Sequence, residues 1–124
     1  MTEKLLVVDD QFGIRVLLKE VLEKDGYETY EAENGQAALA ILEQHHPDLV
    51  LLDMKIPGMD GIEILREMRR RDMQTPVFLM TAYGEIDLIK EAEHLGALKH
   101  FAKPFDIESV RAQIRNFFDT KQKL

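Results

Sequence analysis

The chain has 124 residues, 45% hydrophobic and 31% charged, the material for one domain with a filled core; a single domain over residues 1–124 with no output domain is expected. Its formal charge of -7, with 23 Asp and Glu against 16 Lys and Arg and no basic stripe, disfavours direct nucleic-acid binding. Absence of cysteine excludes disulfides, thiol nucleophiles and Cys-based metal sites, and with no signal-peptide core or membrane-spanning apolar run a cytoplasmic protein is expected.

Leu5 to Val8 is a continuous apolar run, as a strand covered on both faces requires, and it ends on Asp9 and Asp10. Phe12 to Lys24 has helical spacing and stops at Asp25-Gly26, a C-cap pair. Ile14, Leu17, Leu18, Val21 and Leu22 cover an arc of roughly 140°, wider than packing on a sheet needs, and Phe12 and Val16 lie outside it. The surplus is either ordinary surface or a site for a helical partner.

Tyr27 to Glu31 is a more polar strand, suited to an edge, and Gly35 to about His45 is a helix between Asn34 and Pro47. Leu49 to Leu52 is a third buried strand and ends on Asp53; Gly61 to about Arg71 is a helix opened by Asp60, with Glu63 at capping-box spacing. Val77 to Met80 leads into Thr81, Glu85 to Leu95 is helical before Gly96, Leu98 to Phe101 is the last strand, and a final helix begins after Asp106.

Regular alternation predicts an α/β, three-layer (βα)5 domain: a five-stranded parallel sheet with helices on both faces, for which the flavodoxin-like order 2-1-3-4-5 is the natural candidate. That order sets the first and third strands side by side and brings Asp9, Asp10, Asp53, Thr81 and Lys103 to one rim. Three crowded carboxylates repel one another, and a hard divalent cation such as Mg²⁺, with Mn²⁺ as substitute, compensates them; the simpler alternative is that Asp9 and Asp10 cap the first helix. The Thr81 hydroxyl can donate to a phosphoryl oxygen, and the Lys103 ammonium can bind carboxylate or phosphoryl. An aspartate beside Mg²⁺ and Lys is a nucleophile toward phosphorus, giving an acyl phosphate. Neither G-x-x-x-x-G-K-[ST] nor G-x-G-x-x-G is present, so the donor is expected to be an activated phosphoryl group rather than ATP.

Asp9-Asp10, the run Leu52 to Gly61, Met80-Thr81-Ala82 and Ala102-Lys103-Pro104-Phe105 together resemble the receiver domain of two-component response regulators, over essentially the whole chain. The resemblance implies that Asp53 takes a phosphoryl group from the phosphohistidine of a sensor histidine kinase. It implies Mg²⁺ ligation by Asp10, Asp53 and the Lys55 carbonyl, with Asp9 orienting the metal's waters, a switch role for Thr81, phosphoryl binding by Lys103, and a cis Lys103-Pro104 bond. The position three before Lys103, often aromatic in receivers, is His100, which argues against an aromatic rotor; a half-exposed imidazole is expected there, and His45, His46 and His94 read as surface residues. Lys55 and Tyr83, two beyond Asp53 and Thr81, imply either slow hydrolysis of the acyl phosphate or partner contacts without kinetic effect.

Within the family, the segments around Asp9, Asp53, Thr81 and Lys103 look like those of stand-alone phosphorelay receivers of spore-forming bacilli. These pass the group to the histidine of a separate phosphotransferase, a step in sporulation initiation. Gln11, Gly13, Ile14, Leu17, Lys55, Tyr83, Pro104 and Phe105 would then form the contact surface for four-helix-bundle partners, and the protein is expected to be a monomer. Three alternatives stay open: a single-domain regulator that binds a target once phosphorylated, a receiver cut from a DNA-binding regulator, and a flavin carrier or structural binding domain on the same fold.

Overall fold

The computed structural model describes residues 2–82 and 85–122, and side chains as far as Thr120, so expectations for Tyr83 lie outside the described residues. Five strands alternate with five helices: β1 (Lys4–Val8), α1 (Phe12–Lys24), β2 (Glu28–Ala32), α2 (Gly35–His45), β3 (Leu49–Asp53), α3 (Gly61–Arg70), β4 (Val77–Thr81), α4 (Ile86–His94), β5 (Lys99–Ala102) and α5 (Ile107–Gln122). All strand pairs are parallel and the order is β2-β1-β3-β4-β5, as expected. Among the described residues no helix is long and apolar enough to cross a membrane.

Alternation of side chains along the central strands splits the core in two. Leu6, Val8, Val50, Leu52, Val77 and Leu79 pack with α2, α3 and Ala92 of α4 on one face. Leu5, Val7, Leu49, Leu51, Phe78 and Met80 pack with Leu18 and Leu22 of α1 and Val110, Ile114 and Phe118 of α5 on the other. The apolar runs of β1, β3 and β4 are thus buried on both faces, whereas β2 and β5, at the edges, are not.

The caps follow the local chemistry. Asn34 and Asp60 accept the N–H groups of Ala37 and Glu63, satisfying donors that a helix start leaves unpaired. Gly26, with φ +98°, supplies the left-handed turn after α1. The Arg111 guanidinium makes two bonds to Asp25, of 2.8 and 2.5 Å, fastening α5 to the end of α1, and it draws the Asp25 carboxyl below its ordinary range.

Arg15, Leu18 and Leu22, at spacings of three and four, take the inward face of α1, and Leu17, part of the surplus of the apolar arc, is 49% exposed. One expectation needs correction. His45 is half-buried, its ring stacked on Tyr30 at 4.3 Å, because the end of α2 lies against β2.

Candidate functional site

Parallel strands point all their carboxyl ends at one rim, and the adjacency of β1 and β3 sets Val8 opposite Leu52, with Asp9 and Asp53 following them. One carboxylate oxygen from each of Asp9, Asp10 and Asp53 lies within 4.8 Å of the others. Asp9 and Asp53 are buried and Asp10 is exposed, so the cluster has a closed floor and an open mouth.

Lys103, from the end of β5, reaches across to it. Its Nζ stands 2.8 Å from Asp9 Oδ2, 3.3 Å from Asp53 Oδ2 and 3.3 Å from Gln11 Oε1. Burial works against its positive charge, but the Asp9 hydrogen bond and the charges of Asp53 and Asp9 outweigh that, and its pKa is raised. Asp53 is pushed up to about 6: burial comes first and the Asp9 charge second, against the lowering effects of the Lys55 N–H and Lys103. One ammonium therefore does not compensate two buried carboxylates and a third at their mouth. The donor set is hard oxygen and the charge deficit is local, and both fit a divalent cation.

Asp9 does not cap α1: its Oδ1 accepts the N–H of Gln11, the residue before the helix, at 2.8 Å, and its other oxygen is taken by Lys103. Asp53 Oδ1 accepts the Lys55 N–H at 3.2 Å. Thr81 is buried at the end of β4, and its hydroxyl donates to the Phe101 carbonyl at 3.4 Å. Lys103-Pro104 is cis. His100 is exposed on β5, as a strand-end imidazole is expected to be.

The β3–α3 connection is tight beneath the cluster. A Cβ added at Gly61 would come within 2.7 Å of both the Asp53 carbonyl oxygen and Met54 Cα, so only glycine lets α3 begin against the strand end.

Gln11, Ile14, Leu17, Pro104 and Phe105 line one groove of about 430 Å³ with Leu18 and Lys103. Exposed Phe12, Val16 and Leu17 continue that apolar surface along α1, while Gly13 is exposed with no neighbour within 4 Å of a Cβ built there. Lys55 lies apart from this groove, in a second one with Asp10, Pro57 and Asp60.

Two site residues escaped the sequence reading. Arg15 is 8% exposed and donates to the Asp9 carbonyl at 2.7 Å and to Glu31 at 3.2 Å, anchoring the backbone of the acidic pair. The signal was present, since Arg15 precedes Leu18 by three and Leu22 by seven residues and so shares their face. Glu85, also 8% exposed, binds the Ala82 N–H, and no periodicity marks it.

A family model described as the response regulator receiver domain matches residues 5–115. The sporulation initiation phosphotransferase F of Bacillus subtilis (strain 168) is 58% identical over 121 residues, covering 98% of each chain. The chemotaxis protein CheY of the same organism is 37% identical over 89% of this chain and 92% of its own. Among solved structures, the receiver domain of the Francisella response regulator 1452 superposes with a TM-score of 0.88 at 27% identity, covering 97% of this chain and 99% of that one.

Proposed function

Because the chain belongs to the response regulator receiver domain family, we propose that it is a phosphorelay carrier, taking a phosphoryl group onto Asp53 and handing it to the histidine of a second protein. The observation that carries this reading is the pairing of the Asp53 site with an adjoining apolar groove: a 5% exposed carboxylate 3.3 Å from Lys103 Nζ, beside a surface where α1 leaves Phe12, Val16 and Leu17 uncovered.

In the forward step an Asp53 oxygen attacks phosphorus, the P–N bond of a kinase phosphohistidine breaks, and its electron pair returns to the imidazole. Lys103 holds the carboxylate beforehand and the phosphoryl oxygens afterwards, and Thr81 turns its hydroxyl from the Phe101 carbonyl to a phosphoryl oxygen. Asp10, Asp53 and the Lys55 carbonyl would hold Mg²⁺, with Asp9 orienting its water shell; bound there, it would neutralise charge on the phosphoryl oxygens. Onward transfer is the same chemistry reversed. Lys55 and Tyr83 guard the acyl phosphate from water and slow its hydrolysis.

Sensor histidine kinases and a four-helix-bundle phosphotransferase are the partners, meeting Gln11, Gly13, Ile14, Leu17, Pro104 and Phe105 on one side of Asp53 and Lys55 on the other, with Tyr83 as a further contact residue. The protein works as a cytoplasmic monomer, and the end-to-end similarity to a sporulation phosphotransferase supports a role in sporulation initiation. Radiolabelled phosphate followed from a kinase onto this chain and then onto a histidine phosphotransferase tests the reading. Label that needs Mg²⁺, is absent in Asp53→Ala and moves onward supports it. Label that stays while a non-kinase effector binds favours an end-point regulator, and no label with a competent donor refutes the phosphoacceptor assignment.

A further inference from the structure

Among the described residues, two buried side-chain polar atoms lack a hydrogen-bond partner: Thr29 Oγ1 on β2 and Glu85 Oε2 at the start of α4. Thr29 carries a neutral hydroxyl. Glu85 carries a carboxylate whose side chain is only 6% exposed, and an orphan oxygen there costs far more.

The other Glu85 oxygen, Oε1, accepts the Ala82 N–H at 2.5 Å, and Ala82 is the residue directly after Thr81. Facing Oε2 is the Lys55 ammonium, whose Nζ at 3.9 Å is beyond hydrogen-bond reach and whose side chain is 70% exposed. Lys55 in turn gives its backbone N–H to Asp53. An acidic side chain outside the carboxylate cluster thus holds one backbone donor of the rim and faces the residue that already touches Asp53.

β3 and β4 are parallel neighbours with Asp53 opposite Met80, and the Met54 N–H bonds to the Met80 carbonyl, so Thr81 and Ala82 continue along the rim beside Asp53. A phosphoryl group on Asp53 brings three strong acceptor oxygens and close to two negative charges into a place with few free donors. Resting on the phosphoacceptor reading above, we infer that Glu85 is a positioning residue that stands in for the phosphoryl group. In the unphosphorylated protein its carboxylate occupies the Ala82 N–H and attracts Lys55; the acyl phosphate takes over both and displaces it. Two like charges compete for one set of donors, so Glu85 raises the phosphoprotein in free energy relative to the resting protein. It therefore favours release of the group to the next histidine.

The test titrates the full chain with beryllium and fluoride in the presence of Mg²⁺, a tetrahedral stand-in for the phosphoryl group, while the Ala82 amide is followed by NMR. In the wild type the Ala82 resonance is expected far downfield and to move when the stand-in binds. Glu85→Gln keeps the shape but not the charge and should bind the stand-in roughly tenfold to a thousandfold more tightly, the range for one like charge about 4 Å away between an open and a part-buried site, with its resting Ala82 resonance shifted upfield. Glu85→Asp, which restores the charge, should return the affinity toward wild type. Glu93→Gln removes an equal charge from an exposed position on α4 and should change neither readout. Unchanged or weaker binding by Glu85→Gln, or an Ala82 amide indifferent to residue 85, overturns the inference. If the wild type itself fails to bind, the phosphoacceptor reading falls instead.

Discussion

Replacing Asp53 by Asn should make the metal-free protein more stable, although it deletes a charge that bonds to Lys103. The Asp53 carboxyl is held at about 6 against an ordinary 3.8, roughly two pH units, each equivalent to about 1.4 kcal/mol. A raised carboxyl pKa means that the folded state binds the proton more tightly than the unfolded chain. Stability therefore falls as pH rises from about 4 to about 6, and above that the ionised Asp53 costs the fold about 3 kcal/mol. Asn mimics the neutral form and removes the penalty. At pH 7.5 in chelator the variant should melt roughly 10 °C higher, taking roughly 3–5 °C per kcal/mol for a chain of this length. The gain should shrink steeply toward pH 4 and vanish below about pH 3, where Asp53 is protonated in both states. Thermal melts of both proteins across that range are the assay. A variant no more stable than wild type at pH 7.5, or a gain equally large at pH 4, would refute the account of a charge-strained site.

Three further outcomes follow from the same geometry. Mg²⁺ at about 100 times its dissociation constant should stabilise the wild type by about 2.7 kcal/mol, and Asp10→Asn should lose most of that response in calorimetry, because Asp10 is the open carboxylate of the cluster. Gly61→Ala should cost about 1–3 kcal/mol in urea unfolding, since its methyl meets the Asp53 carbonyl oxygen at 2.7 Å; a neutral effect would mean that the β3–α3 connection yields easily. Leu17→Glu should leave stability within about 0.5 kcal/mol, because the residue is 49% exposed, yet slow transfer to a histidine phosphotransferase about tenfold or more; normal transfer would remove the groove from the docking surface.

How much of this was legible beforehand depended on whether a residue's role is written in periodicity. The runs Leu5 to Val8, Leu49 to Leu52 and Val77 to Met80 announce buried parallel strands because a strand covered on both faces has no polar side, and every element appeared within a residue or two of its expected bounds. The cluster of Asp9, Asp10 and Asp53 followed from strand order, because parallel strands deliver their last residues to one edge. Less legible was the bonding within the rim. Nothing in the spacing says that Lys103 lies nearer Asp9 than Asp53, or that the Thr81 hydroxyl turns to β5. Glu85 was invisible because its contact with Ala82 is made in a connecting segment, where side-chain direction follows no period. Arg15 was missed for a different reason: it has enough aliphatic stem to occupy an inward position that a hydropathy wheel reserves for apolar residues.

The division of the core by the sheet has a consequence for how such a protein can change over generations. Four of the residues that would choose a partner, Ile14, Leu17, Pro104 and Phe105, sit on the side where α1 and α5 pack, whereas Glu85, with Lys55 facing it, opens α4 on the opposite side. Substitutions that retune recognition can accumulate in one layer while the layer carrying Glu85 keeps its packing, because the buried strands between them share backbone but not side chains. Duplicated copies can diverge toward new partners by altering one face, without having to reinvent the chemistry at the rim.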